Sequence, residues 1–334
     1  MARLFSCGFE EGNVKVWEYY GAGSAASATP RNGTYSFGGI NTINLGKLLP
    51  STYTEIYFRA GVRISNGGSC IQFREGTGVV HIGVYMYPGA SGTINIYRGG
   101  SIIHTITGIP FFALFVWHCI EVYVKIDDTV GRVIVVQNGD YSNPLVDFTG
   151  DTKNGGTGVI DNFNITQGTA QVSVWDDIAI NDTSGAVNNS WCGDGYGKLL
   201  PLNDNGDVSQ LVGSDADSTD NYLLVNDVPY DTPTYVESDT PDEYDLYNVT
   251  APALAANEVV NSVRIGAVGM NDVEGEGGIK VGIKTAAEDW SGATVMLTSA
   301  TYIAAQGFYS ADPADSAAWS EAKLNTLQVG VKVV

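Results

Sequence analysis

Three tyrosines stand where strands run into loops: Tyr85 and Tyr87 in "VVHIGVYMY", just before "PGASG", and Tyr97 in "TINIYRGG". A tyrosine ring beside Asn, Asp and Gly can stack on the apolar face of a sugar while its neighbours bond the hydroxyls. Tyr85, Tyr87 and Tyr97 are therefore candidate carbohydrate-binding residues. Their plainer role is as half-buried sheet residues or a contact between subunits. A second group is acidic. "NDNGD" (Asn203–Asp207) and "DADSTDN", with Asp215, Asp217 and Asp220, offer hard oxygen ligands of the kind Ca2+ takes. Neither fits the EF-hand loop, because the Gly and the distal Glu are misplaced. Solvated loop acids are the plainer reading here too.

Catalytic constellations are missing from the sequence. Glycoside hydrolysis needs two carboxylates across the sugar, and a strand supplies them as an alternating string. Glu121 is alone on its strand face, Asp127-Asp128 sit in a turn, and Asp176-Asp177 are adjacent and so expected on opposite faces of a strand. The histidines are His81, His104 and His118, and no Gly-x-Ser-x-Gly elbow accompanies them. We expect no catalytic residues and a protein that is not an enzyme. No Gly-rich phosphate loop is present either.

The elements that must hold these residues are strands. Charged residues make up 16 % of the 334, and hydrophobic residues 44 %, enough for a sizeable core. Short β-branched and aromatic runs punctuated by Gly or Asn-Gly fill residues 1–184: "TEIYFRAGVRIS", "VVHIGVYMY", "TINIYRGGSIIHTI" and "WHCIEVYVKIDDTVGRVIVVQNG". In the last of these, Ile120, Val122, Val124 and Ile126 share one face with Val133 and Val135 beyond the turn, while Glu121, Tyr123 and Lys125 share the other. Residues 185–250 change character. Asn203–Asp245 carries no Lys or Arg and many Asp, Asn and Pro, which predicts an extended acidic arm anchored by tyrosines. Residues 251–334 return to strands, with a short helix in "DPADSAAWSEAKLNTL" capped by Asp315 or Ser316.

The net charge of −20 repels phosphate backbones and argues against nucleic-acid binding. No apolar run approaches the about 18 residues of a membrane helix, and "MARLFSCGFEEG" lacks the core of a signal peptide. Neither a membrane partner nor Sec export is expected. Cys7, Cys70, Cys119 and Cys192 form no CxxC pair and read as buried thiols in a protein made in a reducing cytoplasm.

Two resemblances follow from these stretches. "FSCGFEEG", "GTYSFGG", the Trp-His that opens a strand, and the closing "WDDIAIND" resemble concanavalin A-like lectin/glucanase jelly rolls, including laminin-G-type domains. This implies a β-sandwich over residues 1–184, and the occasional calcium of such domains. "GDGYGKLLPLNDNGD", "DNYLLVNDVPYDTPTYVESDTPDEYDLYNV" and "FYSADPADSAAWSEAKLNTLQVGVKVV" are similar to a pattern in tailed-bacteriophage virion proteins. That similarity implies a structural part of the phage tail or capsid surface, made in the host cytoplasm and partnered by copies of itself and other virion proteins. The expected fold is mainly β: a jelly roll (1–184), a connecting arm (185–250) and a C-terminal assembly domain (251–334). The arm is expected to drape over a neighbouring subunit. The alternative function is a carbohydrate-binding module that recognises a bacterial surface glycan.

Overall fold

The computed structural model describes the whole chain except residues 1–2, 22, 27–28, 41–42, 90–91, 110–112, 169–170, 273–276 and 300. It divides into two compact units, Met1–Lys198 and Leu199–Val334. Among the described residues no helix is long and apolar enough to cross a membrane.

The first unit is a sandwich of two antiparallel sheets, as expected for a jelly roll. Its strands are β1 (Arg3–Cys7), β2 (Tyr19–Tyr20), β3 (Ser24–Ala26), β4 (Ser36–Ile40), β5 (Ile43–Tyr53), β6 (Glu55–Asn66), β7 (Ser69–Glu75), β8 (Val79–Tyr87), β9 (Gly92–Arg98), β10 (Ser101–Ile109), β11 (Trp117–Lys125), β12 (Gly131–Gln137), β13 (Val146–Gly150), β14 (Ile160–Gln167) and β15 (Val172–Asn181). One sheet runs β13-β12-β11-β6-β15-β4-β3, with β1 also paired to β15; the other runs β10-β9-β8-β7-β14-β5-β2. The former is the front-strap sheet and the latter the open sheet.

Alternation places one face of each strand between the sheets. Phe58 of β6 meets Phe73 of β7 and Phe163 of β14 at ring-centroid distances of 6.0 and 5.4 Å, both edge-to-face. Ile120, Val122, Val124, Val133 and Val135 are fully buried, and Ile126 nearly so, as their period predicts. The β11–β12 hairpin pairs Ile120 with Gln137 and Lys125 with Arg132. Beyond it, Asn138 and Gly139 both take positive φ, 51° and 75°, the conformation that Asn-Gly adopts at least cost. All four cysteines are free and buried.

The second unit has strands β16 (Leu202–Ser209), β17 (Val212–Gly213), β18 (Val236–Glu237), β19 (Tyr244–Val249), β20 (Val263–Gly269), β21 (Gly278–Lys284), β22 (Glu288–Asp289), β23 (Val295–Met296), β24 (Ile303–Tyr309) and β25 (Gln328–Val333). Its main sheet runs β16-β19-β25-β21-β22, and β20 and β24 form a separate pair. Val281, Ile283, Ala305, Trp319 and Leu324 are among the residues of its core.

Two expectations are corrected here. The segment 203–249 is not an arm: β16 and β19 are strands of this unit's own sheet, and β19 pairs with the final strand β25. The acidic composition misled because β16 finds its partner about forty residues further along the chain and β19 finds a second one, β25, about eighty residues further along. The helix is also shorter, α1 (Glu321–Leu324), and Ser320 caps it by accepting the Lys323 N–H. Asp312 and Asp315 accept the N–H groups of Ala314 and Ala317 instead, so they form turns ahead of the helix.

Candidate functional site

The outward faces of the two sheets of the first unit have different fates. On the front-strap sheet, outward Glu121, Tyr123, Tyr57 and Arg59 are covered by the segment 189–197. Trp191 packs against Tyr57 and Tyr141 at 5.1 and 5.3 Å between ring centroids. Glu121 is 1 % exposed and accepts the Gly193 N–H at 3.0 Å and the Tyr141 hydroxyl at 2.5 Å. Arg59 donates to the Gly193 carbonyl at 3.1 Å, and Asn181 to that of Ser190 at 2.8 Å. The strap thus supplies backbone partners to polar and charged groups that would otherwise be buried without them. This is why the unit ends at Lys198 rather than at residue 184.

Asp177 meets this strap, and Asp176 and Asp177 both reach Arg31 instead of facing opposite ways. The β15–β6 register breaks between Asp176 and Ala179, and Asp177 takes a φ of 51°, a bulge at which both carboxyls bond Arg31. The Asp177 carboxylate pairs with Arg31 at 2.9 Å and accepts the Gly197 N–H. Arg31 also reaches Asp194 of the strap. Asp176, fully buried, accepts the backbone N–H groups of Arg31 and Asp177. Burial, with Asp177 adjacent, pushes its carboxyl up to about 8. The folded state therefore holds a proton that the unfolded chain releases near pH 4. Its contribution to stability is complete below that pH and is lost as the pH rises through about 8. We predict that the unfolding free energy of the first unit falls as the pH rises from about 5 through about 8, and that Asp176→Asn flattens this slope. An unchanged slope in the variant would contradict the assignment.

The open sheet presents two rows of outward side chains, each crossing several strands. One row is Asn44, Thr166, Cys70, Tyr85, Asn95 and Thr105, paired strand to strand without a break. The next is Gly46, Asn164, Gln72, Gly83 and Tyr97. The Tyr85 and Tyr97 rings lie 4.6 Å apart, tilted by 56°. Gln72 donates to the Tyr85 hydroxyl at 3.5 Å, and Thr105 to Asn95 at 2.9 Å. Burial raises the Tyr85 phenol to about 12, so it stays a neutral donor at any physiological pH. Tyr87 follows on the same face of β8 and is 37 % exposed. Neither row contains a carboxylate.

The three sequence-predicted tyrosines are thus brought onto one face. Part of the "PGASG" loop that was expected to flank them lies outside the described residues. Gln72, Asn95, Asn164 and Thr166 were missed, although their alternation with Ile71, Phe73, Ile94, Ile96, Phe163 and Ile165 marks them as outward. Asp215, Asp217 and Asp220 are not brought together as ligands. Asp215 and Asp217 accept the N–H groups of Asp217 and Thr219, and Asp220 takes a φ of 57° ahead of a short 3-10 turn. Among the described residues no three His, Cys, Asp or Glu gather where a metal ion would sit.

The histidines serve structure. His81, fully buried, accepts the Asn154 N–H on Nδ1, which leaves Nε2 to donate to Glu75 at 3.1 Å. Glu75 also accepts from the N–H groups of Thr157 and Gly158, and these bonds hold its carboxyl down to about 2. Together they pin the 151–158 loop. His118 is held by Gln137 and the Ala113 carbonyl. His104 lies against Phe148 at 5.6 Å.

No family model and no curated protein matches this sequence. Solved structures similar to it include domain 4 of AbnA, a GH43 extracellular arabinanase from Geobacillus stearothermophilus, in complex with arabinotriose: 13 % identity, TM-score 0.36, covering 54 % of this chain and 93 % of that one. The Caenorhabditis elegans galectin LEC-6 is similar at 12 % identity and TM-score 0.32, covering 43 % and 96 %. The alginate lyase Aly36B is similar at 13 % identity and TM-score 0.33, covering 48 % and 86 %.

Proposed function

We propose that the first unit binds carbohydrate on the outward face of its open sheet. One observation carries this reading: the strap covers one outward face of the sandwich, while the other displays Tyr85, Tyr87 and Tyr97 among Gln72, Asn95 and Thr105. Rings supply stacking surface, and amides and hydroxyls supply paired donors and acceptors, the combination that sugar hydroxyls need. The lack of a carboxylate in either row favours binding without hydrolysis.

The test is an array of bacterial and plant glycans probed with the full chain. Tyr85→Ala should lower affinity for every glycan bound by about tenfold or more, the effect of losing one stacked ring, and leave the fold intact. Equal binding by the variant would sink the reading.

The likeness of the second half to virion proteins supports a further role, display of this module on a phage particle by the second unit. That role rests on the sequence resemblance alone. A defined trimer or larger ring in light scattering would favour it, and a monomer would weigh against it.

A further inference from the structure

A mouth of about 440 Å3 opens at the end of the sandwich where β5 and β15 finish and β1 begins. Its size falls within the about 300–1,000 Å3 of ordinary small-molecule pockets. Leu4, Pro50 and the Tyr53 ring give it an apolar wall, and Asp182 gives it a carboxylate. The strands set the direction of two of these side chains. Tyr53 lies opposite Ile160, which is fully buried, so the two share the inner face of the open sheet. Asn181 points outward to the strap, so Asp182, the next residue, turns inward, and it is 6 % exposed. Burial, and then the charge of Asp182, raise the Tyr53 phenol above its ordinary value, as expected if both face one space.

The polar side chains of the mouth are short of donors. Beside the carboxylate they are the hydroxyls of Ser51, Tyr53, Thr183 and Ser184, with no amide, Lys, Arg or His among them. A carboxylate can accept about four hydrogen bonds. Asp182 accepts the Ser184 N–H on one oxygen at 2.9 Å, and the Ser184 hydroxyl lies 2.9 Å from both oxygens with one proton to give. Among the described residues no cation pairs with Asp182. A largely buried carboxylate with open lone pairs and no cation is costly unless something else supplies both. A ligand that fits must bring donors and positive charge, which is what an ammonium group carries: three N–H donors and no acceptor. The geometry points to a primary ammonium ligand seated on Asp182 and the surrounding hydroxyls, with its carbon body along Leu4, Pro50 and Tyr53. This site is separate from the tyrosine face of the open sheet and stands or falls independently of carbohydrate binding there.

The experiment titrates the isotopically labelled full chain, followed by amide chemical shifts, separately with glucosamine and pentylamine. Glucose and 1-pentanol serve as controls in which a hydroxyl replaces the ammonium. At least one amine should shift the amides of Ser51, Tyr53, Thr183 and Ser184, and its neutral counterpart should leave them in place. A response to glucosamine alone assigns the site to amino sugars, and a response to pentylamine assigns it to alkyl amines. Asp182→Asn keeps an oxygen for the Ser184 N–H and should weaken the amine by about tenfold or more, the loss of a charge-assisted hydrogen bond. Ser51→Trp fills the mouth from an exposed position without touching Asp182 and should abolish the shifts at Tyr53 and Thr183. Four results would overturn the inference: no shift in the mouth with either amine, equal shifts with the neutral controls, undiminished binding by both variants, or shifts confined to the acidic stretch 204–243 of the second unit, which would mark loose attraction to surface charge.

Discussion

Glu121→Ala is expected to destabilise the first unit by about 3–5 kcal/mol, the cost of removing one member of a buried, charged hydrogen-bond set. The sequence showed Glu121 alone on the outward face of a strand, where an exposed carboxylate would cost almost nothing to lose. The strap changes that. Glu121 is 1 % exposed and accepts from both Gly193 and Tyr141, and its charge acts on buried Arg3. Alanine would leave the Gly193 N–H and the Tyr141 hydroxyl unpaired and would loosen Trp191 above Tyr57. Tyr141→Phe, which removes one of the two donors, should cost about 1–2 kcal/mol. Hydrogen exchange of β6 and β11 reads both effects without assuming that the two units unfold together. A loss below about 1 kcal/mol for Glu121→Ala, the value of an ordinary surface change, would mean that the strap does not hold this face.

Asp245→Ala should be as costly in the second unit, about 3–5 kcal/mol. Asp245 is fully buried in β19, and four donors converge on it. The N–H groups of Gln210 and Leu211 reach one oxygen at 2.6 and 2.9 Å, and the Asn221 amide and Tyr247 hydroxyl reach the other at 2.6 and 2.9 Å. Burial and this carboxylate together raise the Tyr247 phenol above its ordinary value, so it remains a donor. The contact ties the acidic stretch around residues 209–221 to the sheet. In the Asp245→Ala protein, exchange protection should fall first at Leu211 and Asn221, then through β19 and β25. Protection that survives there would remove Asp245 from its place as the unit's polar anchor.

The strands were legible because their alternation is strict. Ile120 to Ile126 and Val133 to Val135 point inward as read, and the three tyrosines fall on one outward face. What was not legible depended on pairings distant in sequence. Asp245 looks like one more acid in an acidic stretch until β19 is seen beside β25. Asp176 and Asp177 were assigned to opposite faces by a rule that holds for regular strands, and a bulge with positive φ at Asp177 breaks that rule. The strap was hidden for another reason. Residues 189–197 form no strand and carry no periodic signal, yet their backbone satisfies the charges of a sheet formed more than sixty residues earlier. The binding face was only half read, because aromatic residues draw notice and the alternating Gln72, Asn95 and Asn164 between buried isoleucines and phenylalanines do not.

On the proposed reading the open sheet, and not the strap-covered one, meets carbohydrate. Hydrogen exchange of the full chain with and without the tightest-binding glycan of the array tests it most directly. Binding should protect β7, β8 and β9, with Tyr85 at the centre, and leave β6, β11 and the 189–197 strap unchanged. Protection confined to the strap side or to the second unit, or an array on which no glycan binds, would overturn carbohydrate binding by this sheet.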